Sequence, residues 1–168
     1  MRFELHVSSI SRKDGMTKTA CVVCEEVSGV VEVPGGVLSS GHFSVAFHIP
    51  SLDGSDVFLG HVLVVPRRHV ADFAGLNQDE AAEIGVAIAK CSSALKGTGA
   101  ERVYIATVGH TFDHLHVHLL PRWPGTPPEI PWHSVDDWAG ARRANSSQAS
   151  DFAVQLRTKL EKEPGPTS

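Results

Sequence analysis

The chain has 168 residues, 42% apolar and 20% charged, which is enough for one domain with a real core. A formal net charge of −4 excludes a global basic field for holding nucleic acid. No apolar run reaches the roughly 18 residues of a membrane span, and Met1 to Lys18 lacks the apolar centre of a signal peptide. The expectation is a cytoplasmic protein.

Residues 1–18 are polar with weak patterning and are expected to be disordered, with Met16 a second candidate start. A single domain is expected over residues 19–162, followed by a disordered tail, 163–168. Three cysteines make no disulfide framework, and Cys21-x-x-Cys24 is half a zinc site. His69 and His114 are candidates to complete it. A redox pair or two ordinary thiols are the alternatives; against redox, no strand leads into the motif and no helix clearly follows it.

Val30–Val33, Val37–Ser40 and Phe43–Phe47 are short β-type runs broken by Pro34-Gly35-Gly36 and Gly41-His42. His61–Val65 is a strand closed by Pro66. Asn77–Leu95 is the best helix: Asn77 caps it, Glu80 bonds back at the third position, and Ile84, Ile88, Cys91 and Leu95 form its apolar stripe. Cys91 is therefore a core residue. Val103–Val108 is a strand. Residues 121–131 carry five prolines and read as extended loop, and Asp151–Lys162 as a C-terminal helix. Short connections make the strands antiparallel, with one main helix on the sheet: an α+β architecture.

The chemistry concentrates in His114-Leu115-His116-Val117-His118, followed by Leu119-Leu120. The period is 2, so this is a strand, with the three imidazoles on one face and Leu115, Val117 and Leu119 on the other, toward a core. A slip of one residue would bury three imidazoles, so the register is fixed. His114 and His118 lie about 13 Å apart along a flat strand, so one metal ion takes two of the three at most. A neutral imidazole with one nitrogen tied to an acceptor can attack phosphorus with the other, and the central His116 is best placed for this. A catalytic-zinc hydrolase using His114 and His116 together is a competing reading. His110, in the preceding loop, could reach a phosphate, and Arg122 could neutralise a polyphosphate. Arg67 and Arg68 read as solvated, and Trp123, Trp132 and Trp138 as core cover rather than base-stacking groups.

These residues resemble the histidine triad (HIT) superfamily, whose signature alternates three histidines with apolar residues; His114-Leu-His116-Val-His118-Leu-Leu matches it in full. Gly60-His61-Val-Leu-Val-Val-Pro66-Arg-Arg-His69 resembles the family's strand before its main helix, and Cys21-Val-Val-Cys24 its zinc-binding branch. The stretch from Pro121 is similar to a bacterial branch labelled dinucleoside polyphosphate hydrolases. The resemblance covers roughly residues 19–125. It implies a five-stranded antiparallel sheet with a main helix, and a homodimer formed through that helix and a sheet edge. It implies a nucleotide substrate, a nucleoside monophosphate joined to a leaving group such as a second nucleotide or an amine. His116 would form a nucleotidyl-histidine for water to release, or a phosphate acceptor would make the chain a nucleotidyltransferase. His118 would assist at the phosphate oxygens, Thr111 would contact the phosphate or leaving group, and structural zinc would be held by Cys21, Cys24, His69 and His114. Relatives carry an acidic ribose-binding residue after the Ala-Phe of the second strand. Here the run is Ala46-Phe47-His48-Ile49, so His48 is the candidate to take its place, and a binding module without catalysis becomes a second reading.

Overall fold

The computed structural model describes residues 21–109 and 112–162. The segments expected to be disordered, 1–18 and 163–168, lie outside the described residues, as do the candidate site residues His110 and Thr111. In chain order the elements are α1 (Val22–Ser28), β1 (Ser39–Ser40), β2 (Ser44–His48), β3 (Val57–Phe58), β4 (Val62–Pro66), α2 (Gln78–Gly97), β5 (Arg102–Ala106), β6 (Val117–Arg122), β7 (Arg143–Ala144) and α3 (Ser146–Lys162). Five strands form one antiparallel sheet in the order β1-β2-β4-β6-β5; β3 and β7 make a small ribbon beside it. The fold is α+β, as expected.

The two faces of the sheet carry different loads. On one, Ala46, Val62, Val64, Val117 and Leu119 pack with Leu115 against Ile84, Cys91 and Leu95 of α2 and Phe152 and Leu156 of α3. Burying each large aliphatic chain there contributes about 1.5–3 kcal/mol, which fixes the strand register. On the other face, Val45, Phe47, Leu63 and Val65 pack under Val23 of α1. His118 pairs with Leu63 across β6 and β4, so the histidines share the face that α1 covers.

The caps explain the helix limits. Asn77 accepts from the Glu80 N–H while the Glu80 carboxylate accepts from the Asn77 N–H, the expected capping box of α2. A second box, Asn145 with Gln148, starts α3 five residues before the expected Asp151. The segment Val30–Val33 is not a strand, because the Val30 and Val31 N–H groups both donate to the Glu25 carbonyl and finish α1. The histidine strand begins at Val117 rather than His114, and it runs through Pro121 to Arg122, where loop was expected. Pairing with β4 ends at Leu119, so β6 is flanked on one side only at Pro121, where a missing N–H is tolerated. Gly60, at φ +84°, turns the chain into β4; a Cβ there would meet Trp123 at 2.9 Å and Pro121 at 3.0 Å. Its N–H donates to His48 Nε2 (2.9 Å).

Candidate active site and metal centre

The histidine face divides into two clusters. In the first, Cys21 and Cys24 enter from the start of α1, His69 from the segment after β4, and His114 from the extended approach to β6. Their four ligand atoms lie within 4.8 Å of one another. Nδ1 of His114 is 3.4 Å from Cys21 Sγ and 3.3 Å from Cys24 Sγ, and Nδ1 of His69 is 3.4 Å from Cys24 Sγ. Donors on one tetrahedral ion, with bonds of about 2.3 Å to sulfur and 2.0–2.1 Å to nitrogen, stand roughly 3.5 Å apart. The four residues thus fit a single tetrahedral metal ion. His114 is fully buried, and its Nε2–H donates to the Pro66 carbonyl at 3.0 Å. That bond fixes the tautomer and leaves the Nδ1 lone pair directed at the thiols.

The anchor beneath His69 is electrostatic. Arg68 makes a two-pronged ion pair with Glu80 at 2.9 and 2.8 Å and donates to the Gly75 carbonyl. Those Arg68 bonds, with the Asn77 N–H second, pull Glu80 down to about 2. Arg67 bonds the Gly41 carbonyl and Ser40. Both arginines are engaged rather than simply solvated.

The second cluster holds His116, His118 and His61. His116 Nδ1–H donates to the His114 carbonyl at 2.6 Å, which leaves Nε2 with a free lone pair. The rings of His116 and His118 lie 4.9 Å apart, and the edge of Phe112 approaches His116 at 6.3 Å. His118 Nδ1 shares a proton with His61 Nε2 at 2.8 Å. When His61 donates, His118 presents Nε2–H outward as a hydrogen-bond donor. Burial first, and then the neighbouring His116, lowers His118 to about 4; burial chiefly, with His118 second, holds His61 well below its ordinary value. Both rings are therefore neutral at neutral pH. His116 and His118 remain 8% and 9% exposed, so neither is sealed off.

His48 does not join them. It is fully buried on the opposite face, where it pairs with Val62; its Nδ1–H donates to the Ile49 carbonyl, and its Nε2 accepts from Gly60. Arg122, the candidate polyphosphate contact, donates instead to the carbonyls of Thr126, Pro127 and Ile130 and stitches the proline loop. Trp123 is core, its Nε1–H bonded to the Leu59 carbonyl. Trp132 stands 41% exposed.

Two features escaped the sequence reading. His61 was read as the start of a strand and as part of a family segment but not as a member of the histidine cluster, although its alternation with Leu63 and Val65 puts it on the same face. Helix α1 was missed because seven residues with three β-branched valines give no helical period.

A groove of about 750 Å³ is bordered by the end of α1, the 31–37 segment, the 50–55 loop and the start of α3. Ile49, just before its Pro50 and Ser51 wall, donates its N–H to the carbonyl of His61 (2.9 Å). Glu26 of α1 lines the groove; burial, with Glu25 second, pushes its carboxyl up to about 7.

A family model described as HIT domain matches residues 52–125. An uncharacterized HIT-like protein of Saccharolobus solfataricus is 32% identical over 113 residues, 64% of this chain and 77% of that protein. This chain belongs to the HIT family. The adenosine 5'-monophosphoramidase of Schizosaccharomyces pombe is 28% identical over 123 residues, covering 64% of this chain and 86% of the relative. Among solved structures, a zinc-bound histidine triad family protein of Mycobacterium smegmatis superposes with a TM-score of 0.63 at 21% identity, over 85% of this chain and 94% of that one, which shows a shared fold. Among the described residues, no helix is long and apolar enough to cross a membrane.

Proposed function

We propose that this HIT protein is a nucleotide hydrolase that cleaves a nucleoside monophosphate from an amine or second nucleotide through a nucleotidyl-histidine. One observation carries the reading: His116 is tied through Nδ1 to the His114 carbonyl, which leaves the Nε2 lone pair free as nucleophile beside His118. Nε2 attacks the α-phosphorus, the bond from phosphorus to the leaving group breaks, and the leaving group departs with a proton. His118, backed by His61, donates to the phosphate oxygens as charge develops on them. Water then attacks phosphorus, the N–P bond breaks, and the monophosphate leaves with His116 restored. The kinship with a monophosphoramidase supports this class of substrate.

The metal centre in this reading is structural zinc held by Cys21, Cys24, His69 and His114, in a compartment reducing enough to keep the thiols free. Zinc would cross-link α1 to the histidine segment, and the two sulfur and two nitrogen donors suit it. We further propose a homodimer: β5 ends the five-stranded sheet with an unpaired edge among the described residues, with Ile105 on it and Val86 on α2 both exposed. Light scattering on wild type and on Ile105→Lys tests this, with a monomeric wild type the result against it.

The mechanism is tested by quenching the protein during turnover of an adenosine phosphoramidate labelled at phosphorus. Acid-labile label on His116 is expected. A His116→Ala protein that keeps full turnover would overturn the mechanism, and nucleoside diphosphate formed in excess inorganic phosphate would identify a transferase.

A further inference from the structure

The four residues of the metal centre are not held alike. His114 is fully buried, and the Pro66 carbonyl accepts from the ring nitrogen that faces away from the thiols. Cys21 and Cys24 are half-buried. His69 is exposed. Its Nδ1 lies 3.4 Å from Cys24 Sγ, and its ring meets that of His114 edge-on at 5.0 Å. Among the described residues, its other ring nitrogen has no acceptor. A ligand imidazole ordinarily gives that second N–H to a carboxylate or a carbonyl, which orients the ring and strengthens it as a ligand. His69 is placed from its backbone neighbours instead. Arg68 is clamped to Glu80 and the Gly75 carbonyl, and the Val70 carbonyl accepts from the Leu115 N–H at 2.6 Å. Those bonds hold the segment and leave the ring to turn about its own side-chain torsions.

We propose, resting on the metal reading above, that His69 is the exchangeable ligand: Cys21, Cys24 and His114 keep the ion while a small nitrogen or sulfur donor from solvent takes the place of His69. Zinc is stable with three protein ligands and a fourth position open to solvent. The exchange breaks the bond from His69 Nδ1 to the metal and forms one to the incoming donor, with no change of oxidation state. The donor class follows from the ion's preference for imidazole and thiolate. Such a position gives the ion a way in and out that leaves Val23 of α1 packed on Val45, Phe47, Leu63 and Val65.

The test uses the full chain loaded with cobalt(II), whose visible bands report tetrahedral geometry and thiolate coordination. His69→Ala should bind cobalt roughly 10–100-fold more weakly than wild type, a loss of the size that a missing partner on a ligand imidazole causes. Millimolar imidazole should restore its spectrum and most of its affinity. His114→Ala should not be rescued, because the place of its ring is sealed at 0% exposure. Rescue of both variants, or of neither, overturns the proposal. On wild type loaded with zinc, release of the metal to a chromophoric chelator should accelerate in proportion to chelator concentration, as an incoming donor at an open position requires. A release rate independent of the chelator overturns the proposal even where a variant fails to fold. Wild type that binds neither metal would sink the metal reading, and this proposal with it.

Discussion

His114 and His116 sit two residues apart on the same face and offer different ring nitrogens, because each has given the other nitrogen to a backbone carbonyl. His114 spends Nε2 on the Pro66 carbonyl and keeps Nδ1 for the thiols. His116 spends Nδ1 on the His114 carbonyl and keeps Nε2 for a ligand. In the proposed reading, identical side chains thus become a metal ligand and a nucleophile through one backbone acceptor each. The sequence period places imidazoles on a face; the backbone carbonyls assign their work.

The largest effect that would sharpen this contrast is at the reacting end. His116→Ala should lower turnover on the order of 10⁴-fold while bound metal stays stoichiometric and the melting temperature moves by a few degrees; initial rates, elemental analysis and thermal melts check all three. At the metal end the pattern should invert. Cys24→Ala is expected to lose the metal and several kcal/mol of stability, read by elemental analysis and denaturant melts. Full stability without metal would break the division into two ends.

A pH effect separates them further. His118 sits at about 4 against an ordinary 6.5. Between those values the unfolded chain binds a proton that the folded chain refuses, so stability is full above about 6.5 and falls as pH drops toward 4. The loss from this ring is on the order of 3 kcal/mol, and His61, lowered in the same direction, adds to it. Urea melts at several pH values should show this slope, and His118→Asn should flatten it. The smallest effect concerns the partner of His118. His61→Phe should reduce kcat about tenfold, with KM and metal content little changed; steady-state kinetics that show no change in kcat would remove His61 from the reacting end.

Much of this was legible in the chain. The alternation at 114–119 gave the face, the capping box gave the start of α2, and the Cys pair with His69 and His114 named the residues that meet around one ion-sized space. What stayed hidden has physical causes. Helix α1 is too short to carry a period, and its place is set by tertiary contacts with Val45, Phe47, Leu63 and Val65. The ribbon of β3 and β7 pairs Val57 with Ala144 and Phe58 with Arg143 through two-residue strands far apart in the chain, which no local pattern encodes. His48 stood where a ribose contact was sought, immediately after Ala46-Phe47, and the pleat turned it to the other face. The Asn145 box was readable and was overlooked because the apolar stripe begins later.

Gly60 ties the two sides of the sheet together. Its N–H rests on His48, deep among the helices, and the next residue is His61, at the reacting end. A bulky substitution at either position 48 or 60 would tilt a corner whose far side steers His118. A blind mutational screen would then score both as essential for turnover, although neither borders the groove, and inhibitors aimed at the groove would have no grip on either.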